Sequence, residues 1–229
     1  MFRSSVLFAS LALVAVLFVG CSRVSAATGV GVPIPVAATD DTLAAKSGRE
    51  TAVFAGGCFW GTQSVFQRVK GVKTTTAGYA GGSAATATYD QVTTERTGHA
   101  ESVEVVYDPS KITYGTLLRI FFSVAHDPTQ LNRQGNDVGP SYRSAIFYRT
   151  DQQKKIAEAY IAQLDAAHVF HGKIVTEVTP LRKFFDAEDY HQDYATKNPG
   201  DSYIQICDVP KTAALKELYP DLFVPYKGH

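Results

Sequence analysis

Residues 51–69 read Thr51-Ala52-Val53-Phe54-Ala55-Gly56-Gly57-Cys58-Phe59-Trp60-Gly61-Thr62-Gln63-Ser64-Val65-Phe66-Gln67-Arg68-Val69. Thr51 to Ala55 is a short apolar run of strand length, whereas Val65, Phe66 and Val69 recur at helical spacing. The chain therefore passes from strand to helix within Gly56-Gly57-Cys58-Phe59-Trp60-Gly61, and Cys58 stands at the turn. Unpaired N–H groups and the positive end of a helix dipole lower a thiol pKa at such a place, so Cys58 is expected to be a nucleophile. Gly56 and Gly57 let the backbone turn and leave room for a substrate; Phe59 and Trp60 bring apolar surface to the same spot. A lone cysteine in a core is most often structural and inert, and the neighbouring glycines and aromatics weigh against that here.

Downstream, a second strand is expected from Val72 to Gly78, then a Gly/Ala/Thr-rich loop from Gly81 to Thr88 leading to Tyr89. In Glu101-Ser102-Val103-Glu104-Val105-Val106-Tyr107 the period is two, and Glu101 shares parity with Val103, Val105 and Tyr107. That places a carboxyl on the apolar face of a strand. Thr113 can cap a helix striped by Leu117, Ile120, Phe121 and Val124, which Asp127-Pro128 ends. A polar loop through Asp137 to Tyr142 precedes a strand from Arg143 to Tyr148. Beyond it come an amphipathic helix from Asp151 to Phe170, a strand from Lys173 to Thr179 and a short helix from Ala187 to Lys197. The remainder is expected to be irregular apart from Ala213 to Leu218, with Cys207 in an extended apolar stretch. There is no dinucleotide glycine fingerprint or phosphate loop, and several strand links are too short for regular crossovers. An α+β fold follows, a two-layer α/β sandwich on a mixed sheet.

Upstream, Arg3 and the apolar run Val6 to Gly20 have the pattern of a signal peptide, too short to span a bilayer comfortably. Two processing readings compete. Leu17-Phe18-Val19-Gly20-Cys21 resembles a lipobox that would lipidate Cys21, and Val24-Ser25-Ala26 resembles an ordinary cleavage site. The lipoprotein is favoured because an unpaired cysteine beside the apolar run otherwise has no evident use. Residues 1–21 are thus expected to be a signal peptide, 22–50 a flexible linker without aromatics, and 51–229 one catalytic domain, exported to the periplasm and lipid-anchored if Cys21 is modified. The 22 basic and 22 acidic residues balance, which offers no long-range attraction to nucleic acid.

Gly57-Cys58-Phe59-Trp60-Gly61 resembles the signature of the peptide methionine sulfoxide reductase A family, and other blocks follow in the family's order. They include Gly78-Tyr79, Thr88-Tyr89, Gly98-His99-Ala100-Glu101, His126-Asp127-Pro128, Gln134-Gly135-Asn136-Asp137, Tyr142-Arg143-Ser144 and Ala187-Glu188-Asp189-Tyr190-His191-Gln192. An ordered set of this kind, covering residues 53–200, is far more specific than any single short motif. The resemblance implies reduction of the S epimer of methionine sulfoxide, free or in proteins, with Cys58 becoming a sulfenic acid and no cofactor bound. It implies that Glu101 is the acid that protonates the departing oxygen, and burial among Val103 and Val105 would keep that carboxyl neutral. It further implies that Tyr89 and Tyr142 hydrogen-bond the sulfoxide oxygen, that Asp137 holds a water, and that Phe59 and Trp60 receive the methyl group. Each has a plainer alternative: the tyrosines as core residues, Asp137 as a turn residue.

Many members of the family resolve the sulfenic acid with a cysteine in a Gly-rich C-terminal tail; here Cys207 stands instead in Tyr203-Ile204-Gln205-Ile206-Cys207-Asp208-Val209-Pro210-Lys211, which has no glycine. Cys207 could resolve it, could be buried and inert, or could form a structural disulfide. Without a resolving thiol the electrons must come directly from an external reductant, a thioredoxin-like protein or a small thiol. A monomer is expected. Two rival functions are a cysteine hydrolase pairing Cys58 with His99 or His191, and a non-catalytic binding module whose cysteines staple the fold. His99, His126 and His191 show no metal-ligand spacing.

Overall fold

The computed structural model describes residues 31–226 and 228. The expected signal peptide and both processing readings at Cys21 and Ala26 lie outside the described residues. In chain order the elements are β1 (Glu50–Gly56), α1 (Phe59–Phe66), β2 (Val72–Ala80), α2 (Tyr89–Val92), β3 (Ala100–Tyr107) and α3 (Tyr114–Ile120). There follow β4 (Arg133–Gln134), β5 (Asp137–Val138), β6 (Ser144–Tyr148), α4 (Asp151–Ala166), β7 (Glu177–Pro180), β8 (Phe184–Asp186), α5 (Tyr194–Lys197) and α6 (Val209–Leu218). Two π-helical turns, Phe121–Ala125 and Ile204–Asp208, extend α3 and lead into α6.

Six strands form one sheet in the order β7-β6-β1-β3-β2-β8, while β4 and β5 make a separate two-stranded ribbon. The pairing of β6 with β7 is parallel and the other pairings of the large sheet are antiparallel, so the sheet is mixed, as expected. Alternation along the strands decides which side chains meet the helices. Ala52 and Phe54 of β1 and Val103, Val105 and Tyr107 of β3 join the main core with Phe59 and Phe66 of α1, Leu117 of α3, and Ile156, Tyr160 and Leu164 of α4. Val53 and Ala55, one residue out of step, belong with Ala80, Ala100, Ala145 and Phe147 to a smaller cluster. Phe54 is the hub of the main core: its ring stacks on Phe66 at 5.2 Å and on Phe121 at 4.9 Å. An aromatic side chain buried this way contributes about 1.5–3 kcal/mol.

Thr113 caps α3, its side chain accepting the Thr116 N–H at 3.2 Å. Five expectations need correction. First, α4 stops at Ala166, four residues short of Phe170, because His168 takes φ 49° and the Val169 N–H turns back to Leu164 O. Second, the strand predicted from Lys173 to Thr179 pairs with β6 only over Glu177–Pro180, since the Val175 N–H goes to Pro128 O. Third, Phe184–Asp186 adds an edge strand beside β2, ahead of a 3-10 turn at Asp189–His191 and the short α5 in place of one helix. Fourth, the stretch around Cys207 is helical, with Pro210 in the first turn of α6, where its missing N–H costs nothing.

Fifth, the linker ends well before residue 50. Residues 31–49 form a strap across the helices. The Val32 N–H donates to Ser123 O, Arg119 donates to Ile34 O, the Tyr160 hydroxyl donates to Pro35 O, and Ile34 is 4% exposed. Asp40 accepts from the Gly115 N–H at 2.7 Å and from the Thr113 hydroxyl at 2.5 Å. The strap satisfies its backbone with side chains from α3 and α4, so its lack of aromatics did not leave it unattached.

Candidate active site

Cys58 is the residue before α1. The turn that puts it there depends on Gly57, whose φ of 79° lies in the left-handed region and whose absent Cβ leaves room for Gln134 at 2.6 Å. The adjacent N–H of Phe59 donates to Glu101 Oε2 at 3.0 Å. Glu101 arrives from β3 on the face shared with Val103 and Val105, as the strand parity predicts, and is 3% exposed.

Cys58, Phe59, Trp60, Tyr89, Glu101, Asp137 and Tyr142 line one cleft of about 170 Å³. Every residue that the sequence suggested for catalysis or substrate binding is therefore brought to one place from five separated segments. Tyr89 opens α2 with its N–H donated to Glu188 at 2.8 Å. Tyr142 ends a 3-10 turn held by Glu95, which accepts both the N–H and the hydroxyl of Ser141. Asp137 sits on the β4–β5 ribbon. Tyr203, which the sequence reading did not single out, also lines the cleft, and its hydroxyl donates to Asp137 Oδ2 at 2.5 Å. The missed signal was Pro210: a proline at a helix start implies a helix through Ala213 to Leu218, and Tyr203 then precedes that helix by two turns.

Burial pushes the Glu101 carboxyl up to about 8; the Phe59 N–H opposes this, and the nearby Asp137 and Glu95 carboxylates reinforce it. At neutral pH the carboxyl is thus an acid that carries a proton. The expected low pKa of Cys58 is not what the structure gives. Burial and the charges of Glu101 and Asp208 push the thiol up, outweighing the Trp60 N–H and the Lys211 ammonium that favour the thiolate. A helix N-terminus lowers a thiol pKa only if it replaces the water that burial removes, and here one of its N–H groups is spent on Glu101. The Tyr89, Tyr142 and Tyr203 phenols are all raised, chiefly by burial, and stay neutral hydrogen-bond donors.

Cys207 is a free thiol, partly exposed, on the π-helical turn that begins one residue after Tyr203. Burial and the neighbouring Asp208 raise its pKa. The histidines engage other partners. His126 joins Phe121 O and Ser144 Oγ, His99 joins Ser83 O, and His191 accepts from the Trp60 indole at 3.1 Å. Among the described residues no His ring is hydrogen-bonded to Cys58, which leaves a Cys–His hydrolase without its base. Nor do the described residues include a cluster of three His, Cys, Asp or Glu side chains able to hold a metal ion.

A family model described as peptide methionine sulfoxide reductase matches residues 50–221. A Mesorhizobium japonicum protein named peptide methionine sulfoxide reductase MsrA 2 is 57% identical over 179 residues, 78% of this chain and 92% of the relative. A Synechocystis protein of the same name is 50% identical over 190 residues, 83% of this chain and 89% of the relative. Among solved structures, methionine sulfoxide reductase A of Corynebacterium diphtheriae matches with TM-score 0.58 and 40% identity, over 75% of this chain and 85% of that one. The reduced form of Mxr1 from Saccharomyces cerevisiae matches with TM-score 0.62 and 33% identity, over 72% and 92%.

Proposed function

This chain belongs to the peptide methionine sulfoxide reductase family, as an oxidoreductase of the A type, and we propose that it works through attack of Cys58 on the sulfur of a methionine S-sulfoxide. The observation that carries this reading is the shared cleft. The thiol and a neutral carboxylic acid line one pocket, and three phenols that stay neutral face the same space. In the step, Cys58 Sγ bonds to the sulfoxide sulfur, losing its proton, as the S–O bond breaks; the released hydroxyl then joins Cys58 Sγ while the bond between the two sulfurs breaks, its electron pair staying with methionine. Glu101 supplies the proton that the departing oxygen needs, because charge builds there in the transition state. The products are methionine and a Cys58 sulfenic acid, so the oxygen lost by the substrate is balanced by oxidation of the thiol.

Tyr89 and Tyr142 donate to the sulfoxide oxygen, Asp137 holds a water, and Phe59 with Trp60 receives the methyl group. A methyl-sized slot is worth only about 1 kcal/mol, so orientation is its main effect. No cofactor is bound; an external thiol reductant, thioredoxin-like or small, returns the electrons, with Cys207 as the candidate resolving thiol. The family resemblance and the thiol chemistry support that reading. The body would act as a monomer on oxidised exported proteins and free methionine sulfoxide. Arg3 and the apolar run before Cys21 support export to the periplasm, with lipid anchoring if Cys21 is processed. The experiment is direct: Cys58→Ser abolishes reduction of a methionine sulfoxide dipeptide, and turnover by that variant would remove the assignment.

A further inference from the structure

Behind the cleft, the 3-10 turn Asp189–His191 carries a buried imidazole that the proposed chemistry does not use. His191 Nδ1 accepts the Trp60 indole N–H at 3.1 Å. Indole nitrogen can only donate, so Nδ1 carries no proton and Nε2 must carry it. That second nitrogen is buried with no hydrogen-bond partner, and Glu188 Oε2 stands 3.9 Å away, beyond bonding reach. The ring packs on Phe59 at 4.9 Å and on Tyr89 at 4.6 Å, both of which line the cleft. Glu188, three residues earlier, accepts the Tyr89 N–H through Oε1 and the Tyr79 hydroxyl through Oε2. Gln192, one residue later, anchors the turn to β2 by accepting the Ala77 N–H and donating to Ala77 O.

We propose that His191 is a positioning residue that holds Trp60, together with Tyr89, against the substrate only while its ring is neutral, so that acidification loosens the wall of the cleft. This rests on the reading of that cleft as the catalytic site. An imidazolium has N–H groups on both nitrogens, so protonation turns the Trp60 acceptor into a donor facing a donor. At the same time Nε2 gains an attraction to the Glu188 carboxylate, which draws the ring away from the indole. The groups facing the ring are Glu188 and Tyr190 from its own segment and Tyr89 from α2; Tyr194 from α5 stacks on the indole at 3.8 Å. Burial raises the Tyr89, Tyr190 and Tyr194 phenols, so none of them ionises in the acid range. Burial also lowers the His191 ring below the ordinary imidazole range, partly offset by Glu188. Burial raises Glu188, but the hydrogen bonds it accepts more than reverse this and hold its carboxylate low.

Trp60 is the only tryptophan in the chain, so its emission reports this contact without reference to turnover. In the reduced wild-type protein, emission is expected to pass through one transition as the pH falls from 6.5, the ordinary imidazole value, while far-UV circular dichroism stays constant. KM for a methionine sulfoxide dipeptide should rise with the same midpoint. His191→Gln keeps an oxygen that can accept the indole N–H but cannot titrate there; it should lose the transition and keep KM at pH 7.5 within about twofold. His191→Phe removes the acceptor and should raise KM about tenfold, one good hydrogen bond's worth, at every pH. The proposal is overturned if wild-type emission is flat over that range, if His191→Gln keeps the transition, or if folded His191→Phe has the wild-type KM. An emission transition lost in His191→Gln, in a protein that reduces no sulfoxide, would uphold the contact and sink the catalytic reading instead.

Discussion

The Phe59 N–H donates to the Glu101 carboxyl at 3.0 Å, so the acid on β3 is tied to the residue that directly follows the nucleophile on α1. Strand and helix are thereby locked at the point where proton and electron pair must arrive together. The same burial that keeps Glu101 protonated also raises the Cys58 thiol, so the resting pair is neutral at neutral pH.

The role of Glu101 sets a pH dependence. Its acid form is present below about 8, so turnover is expected to fall as pH rises through that value. Glu101→Gln should lower kcat by about 10²–10⁴-fold, with a smaller change in KM. The check is a kcat profile from pH 6 to 10 on both proteins.

The same substitution should move stability opposite to activity. The folded carboxyl pKa of about 8 lies above the ordinary 4.5, so its favourable contribution is complete below the lower value and is lost as pH rises through the upper one. Glu101→Gln escapes that loss. Its Tm is expected to match wild type near pH 4.5 and exceed it at pH 8, a gain on the order of 1–3 kcal/mol, as thermal melts at the two pH values would show.

Resting Cys58 should alkylate slowly at pH 7, because burial holds the thiol above its ordinary value. Above pH 8, where Glu101 is charged in wild type, Glu101→Gln should alkylate faster. Iodoacetamide rates followed by peptide mass spectrometry separate Cys58 from Cys207. An equal rate in the two proteins at pH 9 would show that the carboxyl does not act on the thiol.

Tyr203→Phe removes the hydroxyl that Asp137 accepts at 2.5 Å. The expected loss is several-fold in kcat/KM with about 0.5–1.5 kcal/mol of stability, measured by dipeptide turnover and urea melts. The Asp40→Ala change makes the contrast: it removes two bonds at the start of α3, far along the strap, and should lower Tm by about 2–4 °C per kcal/mol lost with kcat unchanged.

Gly61→Ala tests the packing behind Cys58. A Cβ there would overlap Asp208 Oδ1 and lie 2.6 Å from Lys211 Nζ, and that ion pair is buried. The cost should be about 1–3 kcal/mol, and displacement of the turn carrying Tyr203 should raise KM. Urea melts and dipeptide kinetics on the purified variant measure both.

How legible this was in the sequence differs from element to element, for physical reasons. The turn at Cys58, the parity of Glu101 and the cap at Thr113 are local, set by residues within one strand or one helical turn, and they stand where expected. The strap over 31–49 could not be read, because its backbone partners are Arg119, Ser123, Tyr160 and Gln163, which lie far along the chain. The same holds for β8, whose three residues become a strand only by pairing with β2. For the site, the motif resemblance supplied seven residues of the cleft, whereas Tyr203 depends on how the π-helical turn brings the C-terminal segment back over Asp137. The thiol pKa was misjudged because a helix terminus is visible in sequence and the burial that overrides it is not.

The most direct test traps the oxidised nucleophile. Fully reduced Cys207→Ser protein is mixed with excess methionine S-sulfoxide dipeptide without any reductant, quenched with a 1,3-diketone that captures sulfenic acids, and mapped by mass spectrometry. The account predicts one equivalent of the methionine product per chain and a single diketone adduct, on Cys58. Product formation with no adduct on Cys58, or no product at all from folded protein, would contradict it.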